Sequence, residues 1–313
     1  MITAVTLNPC NDKAVKVQRF TYGGMNRIVD SRLDGSGKGV NVAVALRRIG
    51  SPSACIGILQ ESQGHVIIKR LERERIPHAF IMQEGEVRLN QKIIDLSTGF
   101  ITEVNESGTP VTAEILEKVL ELVREHARTS DLMVFTGSLP PACPADFYRT
   151  LVEAAKGEGA RCVLDAEGDR LAAGLEAKPY MIKPNLYELQ SVAGRKVKAV
   201  PEVRDAALTL VRRGISLVAV SMGGEGAFVT DGRVAYYAPP LGVDVRSATG
   251  AGDSMVAGMC KGIVAGMELK ELFRHGVAAA TASVMAEGSE LAAHDDYEAL
   301  LDMVDIHDVP LRD

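Results

Sequence analysis

The sequence predicts an α/β protein of three layers, helix–sheet–helix, with a mostly parallel sheet and a small inserted β-sheet lid. Three observations predict it. Short apolar runs rich in Val, Ile and Leu alternate with longer segments of helical periodicity, a rhythm that lays parallel strands side by side and covers both faces of the sheet. Two stretches, about 13–34 and 86–106, break that rhythm with alternating polar and apolar residues, which suits an antiparallel sheet with one wet face. And 313 residues, 46% hydrophobic and 24% charged, are enough for one large domain with a sizeable core. Residues 1–313 therefore read as one domain, and the two alternating stretches as a lid over a cleft.

In chain order, the strand candidates are Ile2–Leu7, Ala54–Leu59, Leu132–Thr136, Arg161–Asp165, Tyr180–Lys183 and Leu217–Ser221, each bounded by Gly, Pro or Ser. Helical spacing fits Gly39–Ile49, His65–Glu74, Thr112–Ala127, Pro144–Lys156, Pro201–Arg213, Gly252–Gly266 and Leu269–Ala286. In the lid, Val15 and Val17, then Val87, Leu89 and Ile93, then Phe100, Ile101 and Val104 supply the alternating apolar positions. A small inserted sheet exposes edges and an apolar face, so the lid is expected to form a homodimer contact.

Composition excludes several classes. A formal charge of −6 leaves no basic footprint for nucleic acid or an anionic membrane. Aromatic residues make up 4% and Trp is absent, against a base-stacking platform. The five cysteines show no CxxC pair, so buried reduced thiols in a cytoplasmic protein are expected. The opening MITAVTLN has no basic or long apolar segment, and no run reaches the roughly eighteen apolar residues of a membrane span.

Two glycine-rich stretches carry the chemistry. The first, Asp34-Gly-Ser-Gly-Lys-Gly-Val-Asn41, leads into an apolar helix. It fails the Walker A pattern, since Arg32 and Gly39 stand where Gly and Ser/Thr are needed, and the dinucleotide pattern, since Val40 stands where Gly is needed. It is either an anion-binding turn of another kind or an ordinary glycine-rich helix entry. The second, Ser247-Ala-Thr-Gly-Ala-Gly-Asp-Ser254, places Gly250, Ala251 and Gly252 ahead of an apolar helix with Asp253 in its first turn. Their N–H groups and the helix dipole suit developing negative charge. Asp253 is placed either to accept a proton or merely to complement the dipole. Lys183-Pro-Asn-Leu-Tyr-Glu188 holds Asn185 and Glu188 three apart, on one face of a helix start, which is also a good helix cap. His65, His78 and His275 have no catalytic company and read as structural.

GSGKGVNVAVALRRIG and SATGAGDSMVAG resemble the two signatures of the ribokinase-like, PfkB-type carbohydrate kinases, and the likeness runs over essentially the whole chain. Thr6-Leu-Asn-Pro-Cys-Asn-Asp12, Val87-Arg-Leu-Asn-Gln-Lys-Ile93 and Phe135-Thr-Gly-Ser-Leu-Pro-Pro141 are similar to the phosphosugar branch, the 1-phosphofructokinases and tagatose-6-phosphate kinases among them. The resemblance implies ATP-dependent phosphorylation of a ketohexose phosphate, with fructose 1-phosphate giving fructose 1,6-bisphosphate as the leading reaction and tagatose 6-phosphate and fructose 6-phosphate open. Asp253 would be the general base, and Gly250, Ala251 and Gly252 the anion hole. Asp12, Ser36, Gly37, Asn41 and Ser138 would meet the sugar. Arg27, Arg88 and Lys38 would meet its phosphate. Lys183, Asn185, Ser221, Gly223, Gly226 and Ala282 would hold ATP, and Glu188 would organise Mg²⁺ through water. Ser247, Thr249, Ser283 and Gly288 match the segment that holds a monovalent cation, K⁺, in relatives.

The pattern departs from the family at Ser36, where a glycine is usual, and at Val87 and Ser247, where Thr and Asp are common. Those changes bear on substrate identity and cation dependence. A non-catalytic sugar-phosphate sensor is the different-class alternative; loss of Asp253 or of the second loop would favour it, and both are intact. A ribose or nucleoside kinase would leave Arg27 and Arg88 unpaired in the cleft.

Overall fold

The computed structural model describes residues 1–286 and 290–312. The N-terminal half runs β1 (Ile2–Thr6), β2 (Cys10–Val17), β3 (Ile28–Ser36), α1 (Lys38–Arg48), β4 (Ser53–Ser62), α2 (His65–Arg73), β5 (His78–Glu86), β6 (Arg88–Asp95), β7 (Ile101–Asn105) and α3 (Ala113–Ala127). It continues as β8 (Leu132–Thr136), α4 (Phe147–Gly157), β9 (Arg161–Asp165), α5 (Gly168–Leu175), β10 (Met181–Ile182), α6 (Leu186–Ala193), α7 (Val200–Arg212) and β11 (Leu217–Ser221). The chain closes with β12 (Ala227–Thr230), β13 (Ala235–Ala238), α8 (Ala251–Val264), α9 (Leu269–Met285), α10 (His294–Leu301) and β14 (His307–Asp308).

Ten strands form the main sheet in the order β14-β13-β12-β11-β10-β9-β8-β1-β4-β5. From β11 to β5 every pairing is parallel; β11 through β14 pair antiparallel. Alternation in β1 sorts the two cores: Ile2 and Ala4 join the cluster built with α1, α8 and α9, while Val5 packs in the cluster built with α3, α4 and α7. Burying both faces is why these strands read as unbroken apolar runs. Strand order reverses at β1, with β4 on one side and β8 on the other, which opens a crevice at the carboxyl ends of the strands.

The second sheet, β3-β2-β6-β7, is built from the two stretches expected to form the lid, and is called the lid below. Its two outer pairings are antiparallel, but the central pair β2–β6 is parallel, Cys10 opposite Arg88. This corrects the wholly antiparallel sheet expected from alternation. Both strands leave the main sheet at its carboxyl edge and run outward together, so they meet side by side in one direction. The lid strands also reach further than expected, to Cys10 and Ser36 at the base of the cleft.

Several elements escaped the periodic reading. Helices α5, α6 and α10 have eight residues each, too short to accumulate a 3.6-residue pattern. Strands β12 to β14 have two to four residues. Strand β5 has mostly half-exposed residues, and its apolar run Ala79–Met82 is short and followed at once by Gln83 and Glu84.

Candidate active site

A cleft of about 800 Å³ lies between the lid and the carboxyl ends of the parallel strands. Asp165, Lys183 and Ser221 enter it from the ends of β9, β10 and β11. Side chains at that edge face the crevice because the strand pattern stops there and the backbone turns away.

Helix α8 opens at Gly250, whose φ of 79° is left-handed. A Cβ there would come within 2.4 Å of Leu291 Cδ2, so both conformation and space demand glycine. The first bond of the helix runs from Ser254 N–H to the Gly250 carbonyl, 2.9 Å. The amides of Ala251, Gly252 and Asp253 therefore lie ahead of the helical ladder, at the positive end of the dipole and facing the cleft. The carboxylate of Asp253 is buried and accepts a bond from Asn41 Nδ2 at 2.9 Å. Burial pushes its pKa up to about 6; Lys38 pulls it back, Asp165 adds to the rise and the Asn41 bond lowers it. A carboxylate in that range is basic enough to take a proton near neutral pH. Asn41 is held in turn: Arg70 Nη1 donates to its Oδ1 at 3.2 Å and to the Gly35 carbonyl at 2.6 Å.

The first glycine loop builds the cleft floor. Ser36, Gly37, Lys38 and Asn41 all line the cleft. Gly37, at φ 120°, passes so close to Pro9 that a Cβ would stand 2.9 Å from its Cα. Lys38 Nζ lies 3.4 Å from Asp165 Oδ2, and Lys183 Nζ lies 3.4 Å from Oδ1. Burial pushes the Asp165 carboxyl up, yet the two lysines and the Thr136 hydroxyl hold it at about 2. Asp165 in turn raises Lys38 above the ordinary lysine range. Lys38 and Lys183 thus share one buried carboxylate at this side of the cleft, and an incoming phosphate would meet two ammonium groups there.

The lid supplies a polar face. Asp12 Oδ1 accepts from Asn90 Nδ2 at 3.2 Å. Arg88 Nε donates to the Asn8 carbonyl at 3.0 Å. Asp12, Arg88, Asn90 and Lys92 line the cleft together with Glu103 and Asn105 of β7. Cys10 also lines it, but burial, with the Asp12 charge, pushes its thiol up to about 12, which makes it a poor nucleophile.

On the other side, Asn185 and Glu188 form a full capping box at the start of α6: Asn185 Oδ1 accepts from Glu188 N–H, and Glu188 Oε2 from Asn185 N–H, each 2.8 Å. Both residues nonetheless line the cleft. Burial raises the Glu188 carboxyl and Asp165 adds to the rise, so a divalent cation beside it would relieve an unfavourable charge. Gly223 opens a short 3₁₀ turn and Gly226 follows it; a Cβ on Gly226 would stand 2.1 Å from the Ala238 carbonyl oxygen. Beside this turn Leu241, Val243, Val277, Ala280 and Val284 form an apolar slot, the setting a purine needs.

Some expected residues stand elsewhere. Ala282 is fully buried among the core helices; the face of α9 that meets the cleft is Val277, Ala280, Thr281 and Val284, offset around the helix from Ala282. Ser138 is off the cleft lining and accepts from Asn8 Nδ2 at 3.1 Å. Arg27 is exposed just before β3 and is outside the lining. Of the candidate monovalent-cation residues, Thr249 lines the cleft. Ser247 Oγ accepts from Thr249 N–H at 3.2 Å, and Ser283 Oγ is buried with no hydrogen-bond partner among the described residues. Gly288 lies outside the described residues. His275 is structural: its Nδ1 meets the Tyr297 hydroxyl, which Lys261 Nζ approaches at 3.2 Å.

Residues that the motifs did not flag are Asp165, Arg70, Asn90, Lys92, Glu103 and Asn105. Asp165 ends an expected strand exactly as Ser221 does, and Asn90 and Lys92 follow Arg88 at a spacing of two; those were the available signals. Arg70, on the buried side of α2, had none.

Comparison with known proteins agrees with this geometry. The matching family description, pfkB family carbohydrate kinase, covers residues 5–296. The 1-phosphofructokinase of Bacillus subtilis (strain 168) is 37% identical over 308 residues, 98% of this chain and 99% of its own. That of Rhodobacter capsulatus is 34% identical over 310 residues, 99% of this chain and 98% of its own. The phosphofructokinase-2 of Escherichia coli in complex with potassium has a TM-score of 0.92 at 29% identity, covering 97% of this chain and 98% of that one. A family match that runs from β1 into α10, over a fold whose cleft joins a carboxylate to a helix N-terminus, establishes that this chain belongs to the pfkB family of carbohydrate kinases and is a phosphotransferase acting on a sugar hydroxyl.

Proposed function

We propose that the enzyme transfers the γ-phosphoryl group of ATP to a ketohexose phosphate, with fructose 1-phosphate giving fructose 1,6-bisphosphate as the leading reaction. The observation that carries this is the pairing of Asp253 with the amides of Ala251 and Gly252 in the same cleft as the lid residue Arg88. Full-length relatives named 1-phosphofructokinase support the choice of substrate.

Asp253 would take the proton of the accepting hydroxyl. Asn41, pinned by Arg70, keeps that carboxylate aimed and ionised. The free amides at the start of α8 would stabilise charge on the phosphoryl group in flight. Arg88 would hold the phosphate already on the sugar, and Asp12 its hydroxyls. Lys38 would face the sugar's phosphate beside Arg88, and Lys183 the nucleotide phosphates. Phosphoryl transfer demands chiefly positioning and charge stabilisation, and closing the lid would exclude water.

Glu188 would hold Mg²⁺ through water; when bound, the ion neutralises phosphate charge. Ser283, buried without a hydrogen-bond partner among the described residues, fits a monovalent cation near Ser247 and Thr249, and K⁺ activation follows from that reading. Most large apolar side chains that the described residues expose lie in the lid, among them Tyr22, Met25, Ile28, Val29, Phe100 and Ile101. That face supports a homodimer formed through the lid, and Arg27 stands beside it. No described helix is long and apolar enough to cross a membrane. Five free cysteines suit the cytoplasm.

The test is coupled ADP release with Mg·ATP, comparing kcat/KM for fructose 1-phosphate, tagatose 6-phosphate, fructose 6-phosphate and fructose. Fructose 1-phosphate is expected to lead by about a hundredfold, roughly 2.7 kcal/mol of differential transition-state binding. A lead for unphosphorylated fructose would unseat Arg88 as the phosphate holder.

A further inference from the structure

Arg88, Asn90 and Lys92 alternate along β6, so their side chains leave one face of the lid, and all three line the cleft. They are not equivalent. Arg88, at the base of the lid, is tied to Asn8 and Asn90. Lys92 stands four residues further out, about 13 Å along an extended strand, a distance on the scale of a phosphorylated hexose. It reaches across the cleft to the core: Lys92 Nζ donates to Thr249 Oγ1 at 2.9 Å. Thr249 immediately precedes Gly250, the residue that opens α8. The Lys92 side chain is only 13% exposed, and Glu103 lies 3.9 Å from its ammonium. A solvated surface lysine would be neither so covered nor so directed.

The lid therefore delivers a positive charge to the mouth of the helix that holds Asp253 and the free amides. An ammonium has three donors, and Thr249 takes one. Glu103, opposite Lys92 in the β6–β7 register, keeps the side chain extended toward that point.

We infer that Lys92 is a catalytic residue that binds the oxygens of the phosphoryl group during transfer, while Arg88 binds the phosphate the sugar already carries. The inference rests on the phosphosugar kinase reading above. In the step, a bond forms between the sugar oxygen and the γ-phosphorus and the bond from that phosphorus to the β,γ-bridging oxygen breaks, leaving ADP. The hydroxyl proton passes to Asp253. Lys92 neither gives nor takes a proton; it supplies charge that counts most when the phosphoryl group is between its two partners. Because it sits on the lid, this charge is complete only when the lid is closed, which ties turnover to closure.

The test compares Lys92→Met, which keeps length without charge, Lys92→Arg, and Arg88→Met. Steady-state kinetics is run with fructose 1-phosphate and Mg·ATP, beside the affinities for fructose 1-phosphate alone and for Mg·ADP–aluminium fluoride with fructose 1-phosphate, which mimics the phosphoryl group in flight. For Lys92→Met, kcat is expected to fall by about a hundredfold, KM for the sugar phosphate to stay within threefold, and the mimic to bind about a hundredfold more weakly. Lys92→Arg should recover part of the loss, and Arg88→Met should raise KM for the sugar phosphate instead. If Lys92→Met keeps kcat within threefold, or weakens the mimic no more than it weakens fructose 1-phosphate, the inference is wrong. If the parent enzyme prefers unphosphorylated fructose, the substrate reading fails by itself, and Lys92 is judged by the same kcat loss with that sugar.

Discussion

The two glycine-rich loops look alike in sequence and do different work. In the first, the glycines answer to packing. A Cβ on Gly35 would stand 2.6 Å from the Ile67 Cα, and one on Gly39 would stand 2.7 Å from the Thr6 Cβ. The end of β3 packs close onto α2 and the start of α1 close onto β1 at these points, and side chains are excluded. In the second, Gly250 is confined by its left-handed φ, but Gly252 faces open cleft; its Cβ would meet only the tip of Lys183, at 3.4 Å. Glycine there keeps the approach to the amides clear. A glycine pattern alone therefore does not say whether the missing side chain makes room for the protein or for its ligand.

Variants can sharpen this contrast, and the largest effect belongs to the second loop. Asp253→Asn is expected to lower turnover by at least about a thousandfold, within the range general-base catalysis supplies, with both substrates still bound by calorimetry. Turnover within tenfold of the parent would remove Asp253 as the base. The same variant should melt higher at pH 7.5. Burial raises the folded pKa of Asp253 to about 6, above the unfolded value of about 3.9. Ionising it therefore costs stability, a loss that grows as pH climbs between those values and persists above.

Next come the glycines themselves. Gly252→Ala is expected to leave stability within about 0.5 kcal/mol while kcat falls by about a hundredfold. Gly35→Ala should do the reverse, costing about 1–3 kcal/mol by overpacking while the folded fraction keeps most of its kcat. Denaturant unfolding and initial rates on the same samples decide; equal losses in both variants would erase the distinction drawn between the loops.

A smaller effect concerns pH. With Asp253 titrating near 6, kcat/KM should fall about tenfold per unit on the acid side of that value, because the base must be ionised. Asn41→Ala removes a bond to the ionised form, so the acid limb should move to higher pH. A limb that stays in place would show that Asn41 does not tune the base. The smallest effect expected is in the lid: Ile101→Glu, on its exposed face, should shift sedimentation toward monomer at micromolar concentration.

Much of the site was legible because its parts are local. A left-handed glycine opening a helix, a carboxylate in the first turn and an Asn–Glu capping box each lie within a few residues. Parallel strands announced themselves as apolar runs, and the carboxyl end of one of them marked Ser221, while Asp165 at the end of another passed unflagged. The orientation of the lid strands was misread because alternation reports which face is wet and says nothing about a neighbour's direction. Ala282 was misassigned because an apolar helix buried nearly all round gives no phase for the one stripe that meets a ligand.

The sequence by itself determined the fold class, the two glycine-rich loops and the place of Asp253 in the first turn of a helix, since backbone preference, periodicity and helix-end chemistry act over one turn or one strand. Only the tertiary structure decided the partners. Asn41 meets Asp253 across 212 residues, Lys92 meets Thr249 across 157, and Lys38 and Lys183 converge on one buried carboxylate. Such meetings follow from how whole layers pack, and packing sums contacts over the entire chain, so no local window of sequence contains them.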